Sequence, residues 1–266
     1  RNKRGWTWRL FGTYSANENT VMELTDDLFA LQLQNTLSGR GSMEARVGQS
    51  MSAIYGTGYK RAPDGQIVYG EDGYPLLADD LIYLGDSNPK GKGSFGTEIK
   101  YKGISLNILF DGQFGGKGYS FTNAMLMEHG KHEKTLSGRY NGIIGDGVIE
   151  NPDGTYRKND VVAEEIWTYY TRHGGRENLE GSMFNTDFLK LRELTLSYSF
   201  PARICKKIGM RKLSVGIYGR DLFMITNWPA FDPEFGTLNN GTIDKGFEIA
   251  QFPATRNFGV KLNIEF

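Results

Sequence analysis

The sequence predicts an all-β chain, a transmembrane antiparallel β-barrel, on three observations. The last nine residues read F-G-V-K-L-N-I-E-F. Phe258, Val260, Leu262, Ile264 and Phe266 share one parity, and Gly259, Lys261, Asn263 and Glu265 share the other. Successive side chains of a strand point to opposite faces, so this segment is apolar on one side and polar on the other. Six more segments alternate in the same way, and the connections between segments are unequal, some very short and some very long. Lipid-facing strands must alternate over their whole span, and barrels join them by short turns at one end and long loops at the other.

The segments follow in order. Trp6, Trp8, Leu10 and Tyr14 oppose Thr7, Arg9 and Thr13. Met43, Ala45 and Val47 oppose Glu44, Arg46 and Gly48. Phe95, Ile99 and Tyr101 oppose Gly96, Glu98 and Lys100. Ile104, Leu106, Ile108 and Phe110 oppose Ser105 and Asn107, with Leu109 as an exception. Leu194, Leu196, Tyr198 and Phe200 oppose Thr195, Ser197 and Ser199. Leu189 and Leu191 have the other parity, which predicts a bulge near Arg192 and Glu193. Leu213, Val215 and Ile217 form the sixth segment and the C-terminus the seventh.

Between these runs, Tyr101-Lys102-Gly103-Ile104 reads as a tight hairpin, and 201–212 as a short turn with room for one helical turn. Residues 56–93, 115–187 and 226–255 are long connections. A structureless stretch of that length is out of place inside a compact soluble domain. A small helix is predicted over 161–171. Seven strands are odd in number, and single-chain bacterial barrels use even numbers. The expectation is that the first strand runs the same way as the last and pairs with a strand upstream of residue 1.

Composition agrees. The chain has 266 residues with 31 basic and 31 acidic side chains, so charge gives no argument for a nucleic-acid partner. Glycine (35) and aromatic content (13%) suit many strands and turns. No run approaches the 18 apolar residues of a membrane helix, which leaves a barrel open. Cys205 is the single cysteine, so no internal disulfide forms. The chain begins at Arg1, which reads as a processed terminus or as part of a longer chain.

Few residues suggest chemistry. His129 and His132 form H-x-x-H without further ligands nearby, and with His173 they read as solvated loop residues. Asp146, Glu150, Asp153, Asn159 and Asp160 offer oxygens to calcium, but not at EF-loop spacing, and a solvated loop is favoured. Arg220, Asp221, Asp232 and Glu234 read as a substrate site or, preferably, as a loop anchor built on carboxylate hydrogen bonds. Trp167, Tyr169, Tyr170 and Trp228 lie in long connections. Their rings suit stacking on sugar or, preferably, packing within the loops or against a partner. Tyr14, Tyr101, Phe114, Phe200 and Phe266 sit at strand ends, where amphipathic rings meet headgroups. No catalytic set and no cofactor or metal site is read.

Several motifs carry a family resemblance. They are Gly85-Asp86-Ser87-Asn88-Pro89-Lys90 before Gly93-Ser94-Phe95; Tyr101-Lys102-Gly103, followed by the run from Leu109 to Gly116; and the strand from Asp187 to Tyr198. Gly219-Arg220-Asp221-Leu222-Phe223 precedes Phe231-Asp232-Pro233-Glu234, and Gln251-Phe252-Pro253-Ala254-Thr255-Arg256 precedes the last strand. Together they resemble the C-terminal barrel portion of SusC/RagA-type TonB-dependent outer-membrane transporters of Bacteroidota. Asp221 stands where that family usually has Asn, and Phe252 where it has Tyr.

The resemblance implies that residues 1–266 form the C-terminal part of a plugged barrel of the 22-stranded kind, with the plug and the N-terminal strands outside this sequence. It implies residence in the outer membrane, TonB acting through the plug, a SusD-like surface lipoprotein as a lid, and import of oligosaccharides or, alternatively, oligopeptides, without enzymatic chemistry. Leu262, Ile264 and Phe266 are then expected to serve barrel assembly, and 150–180 to be a loop that can be shortened. A soluble carbohydrate-binding β-sandwich also explains strands and aromatics, but not the unequal connections or the terminal Phe. An adhesin or passive porin is opposed only by the family motifs.

Overall fold

The computed structural model describes residues 5–25, 27–36, 38–239, 242–244 and 246–266. Six long strands form one antiparallel sheet: β1 (Trp6–Ala16), β2 (Gly91–Tyr101), β3 (Ile104–Phe114), β4 (Phe188–Ser199), β5 (Lys212–Thr226) and β6 (Asn257–Glu265), paired in that order. The sheet is open, with β1 and β6 at its edges.

Register turns the alternation of each strand into rows across the sheet. Trp8 lies opposite Ile99, Ile99 opposite Leu106, Leu106 opposite Leu196, Leu196 opposite Ile217, and Ile217 opposite Val260. The next row is Trp6, Tyr101, Ile104, Tyr198, Val215 and Leu262. On the other face Thr7, Lys100, Ser105, Ser197, Gly216 and Lys261 make an equally continuous polar row. From Trp6 to Tyr14 the apolar face runs about 26 Å along the strand at about 3.3 Å per residue, with rings at both ends. Trp6 stacks on Tyr101 at 4.1 Å, and Tyr14 on Phe114 at 6.5 Å between centroids.

The predicted bulge is present. Register shifts between Leu191 and Glu193 against both neighbouring strands. The extra residue, Arg192, reverses the parity, so Leu189 and Leu191 stay on the same face as Leu194 and Leu196. The Lys102-Gly103 hairpin has φ of 46° and 90°. Two successive left-handed residues match the twist of the strands they join. A Cβ on Gly103 would meet the Ser199 carbonyl oxygen at 2.7 Å. Between β4 and β5, the short helix α3 of that connection (Ala202–Lys207) buries Cys205.

Three expectations change. The segment 43–47 is not a strand of this sheet. Gly41–Arg46 lies in a separate four-stranded sheet with Ala30–Asn35, Ala53–Gly56 and Ile82–Asp86, and five of its six residues are buried. Its polar positions are satisfied internally: Ser42 donates to Glu44 at 2.5 Å and Arg46 pairs with Glu44 at 2.8 Å. The long sheet therefore has six strands rather than seven, and β1 runs opposite to β6, not parallel to it. The predicted helix over 161–171 begins later, as Ile166–Gly174, because Val162–Ala163 pairs with Ile143–Ile144 as a strand. The segment 150–180 is not an unstructured loop: it supplies Ala163, Tyr169, Tyr170 and Leu179 to buried clusters of the connections, so shortening it would disturb that layer rather than the long strands.

All three long connections, 17–90, 115–187 and 227–256, leave the same end of the sheet, and they interlock. Val68–Tyr69 of the first pairs in parallel with Val148–Ile149 of the second. Phe247–Glu248 of the third pairs in parallel with Tyr119–Ser120 of the second. One core joins Met43, Ile54 and Leu84 with Tyr119, Ala124, Leu179 and Phe247, drawing on all three connections. A second joins Tyr69 with Met127, Ile149, Ala163, Tyr169 and Tyr170. Glu248, fully buried, accepts from the Ser120 and Thr122 hydroxyls at 2.8 and 2.6 Å and from the Thr122 backbone N–H at 3.1 Å. It thereby seats the N-terminus of helix α1 (Phe121–Glu128), whose cap is Ser120.

Candidate functional site

The polar face of the sheet carries an ion-pair lattice at the bulge. Lys190 lies opposite Asp111 on that face. Its ammonium donates to both Asp232 oxygens at 2.7 Å and also to Glu234. Arg192, set out by the bulge, holds Asp111 through two bonds at 2.9 and 3.1 Å, Asp221 at 2.8 Å and Glu234 at 2.8 Å. Asp221 takes a positive φ of 52° in β5 to reach it. The Asp232 carboxylate also accepts the Glu234 backbone N–H at 2.9 Å. The F-D-P-E segment thus anchors the third connection to the wall of the sheet, the preferred sequence reading. Arg220 is not part of it, and faces Glu193 at 3.4 Å.

The four candidate aromatics separate. Tyr169 and Tyr170 are buried, packed edge-on at 5.2 Å, and the Tyr170 hydroxyl donates to the Ser137 carbonyl at 3.1 Å. Trp228 is buried, stacked on Phe235 at 5.0 Å. Trp167 alone is exposed, at 58%. Helix α2 (Ile166–Gly174) explains the split. Tyr169, Tyr170 and His173 recur at helical spacing on the side packed against the second core, while Trp167, Thr168, Thr171 and Arg172 line a cleft of about 430 Å³. Across the cleft stand Arg40 of the first connection and the Arg176–Glu128 pair, closed by two bonds at 2.6 and 2.9 Å. That guanidinium holds the Glu128 carboxyl below its usual range.

His173 corrects the reading of a solvated loop. Its ring bridges the hydroxyls of Tyr59 and Tyr69, each at 3.1 Å, and lies 4.4 Å from the Tyr169 ring. Burial pushes its pKa down to about 4, so it is neutral at pH 7. Tyr59 and Tyr69, 114 and 104 residues away in sequence, gave no local signal. His129 and His132 serve turns instead: His129 bonds the Met125 carbonyl at 2.9 Å, and His132 accepts from the Lys134 N–H at 3.1 Å. The loop carboxylates considered for calcium are dispersed. Glu150 pairs with Lys60, Asp160 with Arg157, and Asp153 caps its own turn through Thr155. Among the described residues no cluster of three or more His, Cys, Asp or Glu is placed to hold a metal.

At the C-terminus, Leu262 lies opposite Val215 and Ile264 opposite Leu213. Phe266 follows the strand's last paired residue, Glu265, and is exposed.

The chain is similar to known proteins along its whole length. No family model matches it. It is 25% identical to TonB-dependent receptor P3 of Formosa agariphila, over 98% of this chain and 27% of that protein. It is 24% identical to TonB-dependent receptor P39 of the same organism, over 71% of this chain and 17% of that protein. Among solved structures, a chain of the RagAB peptide transporter superposes on all of it with a TM-score of 0.67, at 17% identity and over 28% of that chain. This chain therefore spans about a quarter or less of the relatives it matches. It is homologous over nearly its whole length to TonB-dependent receptors and shares the fold of a RagAB chain.

Proposed function

We propose that this chain is the C-terminal wall and loop layer of a TonB-dependent outer-membrane importer whose plug and remaining strands lie outside residues 1–266. The observation that carries the reading is the continuous apolar face of the sheet, exposed across all six strands, together with three long connections leaving one end. In water such a face is a liability. In lipid it is required. The bulge lattice and polar rows face the lumen of a closed barrel of the 22-stranded kind, the two-residue hairpin and the α3 turn face the periplasm, and the loop layer faces outward. Leu262, Ile264 and Phe266 belong to the strand that closes the barrel.

The cargo is an oligosaccharide and the partner over the loop layer a SusD-like lipoprotein. Trp167, exposed at the cleft, touches cargo or lid, while Tyr169, Tyr170 and Trp228 hold the layer in shape. A second reading, oligopeptide import, has one observation behind it: the RagAB chains that share this fold belong to a peptide transporter.

The test uses the full-length protein in its native outer membrane. Uptake of a labelled oligosaccharide should require both the protein and TonB, and a lipoprotein of comparable stoichiometry should co-purify in mild detergent. TonB-independent uptake points to a porin. Uptake of peptides alone moves the reading to the second cargo.

A further inference from the structure

The cleft beside α2 holds charge that the fold leaves unanswered. Arg172 pairs with no carboxylate among the described residues, and its guanidinium lies 5.5 Å from the centre of the Tyr74 ring. Arg40 has a single carboxylate partner, Glu177, at the long distance of 4.0 Å with both side chains more than half exposed. Such a pair contributes little. Arg176, by contrast, is fully engaged by Glu128. Beside these groups Trp167 exposes its ring rather than burying it.

An indole face suits the apolar C–H face of a pyranose. A planar guanidinium suits a carboxylate or sulfate, which it grips in bidentate fashion. Resting on the import reading above, we propose that this cleft binds an acidic sugar unit, a pyranose bearing carboxylate or sulfate, with Trp167 stacking on the ring and Arg172 and Arg40 holding the anionic group. The shape favours a small ligand over a docked protein: about 430 Å³ is the volume of a small-molecule pocket, whereas a stable protein partner needs a broad surface of about 800 Å² on each side.

The test is calorimetric titration of the purified full-length protein in detergent with trigalacturonate, its neutral methyl ester, a sulfated galactose trisaccharide and triglutamate. Arg172→Gln and Trp167→Ala are the variants, each first checked for heat-modifiable barrel. The acidic sugars should bind at least tenfold more tightly than the ester, and the stronger of the two names the anionic group. Arg172→Gln should erase that preference, and Trp167→Ala should weaken every sugar about tenfold. Equal binding of acid and ester, or an unaffected Arg172→Gln, overturns the proposal. So does triglutamate binding that equals the sugars and survives Trp167→Ala. If neutral oligosaccharides are still imported in those cases, the import reading stands without this site. If no saccharide binds or enters, both fall.

Discussion

In the long sheet, Leu196, Ile217, Val260 and Leu262 are exposed at 45, 60, 71 and 60%. In the loop layer, Ile54, Leu179 and Phe247 are sealed at 0, 0 and 1%. Among the buried hydrophobic side chains of the described residues, Phe188, at the start of β4, is the sole contribution of the six long strands. The two regions are built on opposite rules. The loop layer is organised as a water-soluble domain is, by withdrawing apolar surface from solvent. The sheet presents that surface and keeps its polar groups on the other face, which suits a solvent that is itself apolar. The connections are thus the part of the molecule that hydrophobic collapse in water holds together, and the strands are held by backbone pairing and by the bilayer proposed here.

Breaking the boundary between the two regions should cost most. Lys190→Ala leaves Asp232 and Glu234 without their ammonium partner at a site where the lysine side chain is 4% exposed. The expected loss is about 3–5 kcal/mol, seen as release of 227–256 to protease while the barrel stays heat-modifiable. Loops that remain protected would show that the lattice anchors nothing.

The lipid rule comes next. Leu262→Arg should destabilise the folded barrel by roughly 2–4 kcal/mol, whereas Lys261→Ala on the facing row should change it little. Refolding into vesicles measures both. Spin labels give the face directly, and a lipid-soluble quencher that reaches position 261 better than 262 reverses the assignment.

Acid should weaken the loop layer and spare the sheet. The folded pKa of His173 is depressed from 6.5 to about 4. Its contribution is therefore complete above pH 6.5, declines as pH falls, and is gone below about 4, a loss of up to about 3 kcal/mol. Near-UV circular dichroism melting between pH 7 and 4.5 should show the decline, and it should be smaller in His173→Gln. Equal pH dependence in both proteins would remove His173 from the account.

The smallest effect expected is at the α1 cap. Ser120→Ala removes both the cap and one hydroxyl bond to buried Glu248 and should cost the loop layer about 2 kcal/mol, read as faster amide exchange over 121–128 with no change in the long strands.

The sheet was legible in the sequence because alternation runs for nine residues in its two edge strands and recurs over five to seven in the strands between, and a bulge announces itself as a change of parity at Leu191 and Leu194. Segment 43–47 shows where that signal fails. A five-residue alternation fits a lipid-facing strand and a buried one equally well, and what decides it, Ser42 and Arg46 satisfying Glu44, is an interaction of side chains two residues apart on the same face of a strand. The F-D-P-E anchor was readable because Asp and Glu flank a proline turn. The His173 cage and the Trp167 cleft were not, since their members come from connections separated by about a hundred residues.

The parallel pairing of Val68–Tyr69 with Val148–Ile149, and of Phe247–Glu248 with Tyr119–Ser120, has a consequence for how such a surface diversifies. Each connection supplies a strand that another connection completes, so none can be exchanged alone without orphaning backbone groups in its neighbours. Recombination that swaps one of these segments between related receptors should yield misassembled surfaces, while exchange of all three as a block should be tolerated. Ligand preference in this protein would then be inherited as a unit rather than assembled loop by loop.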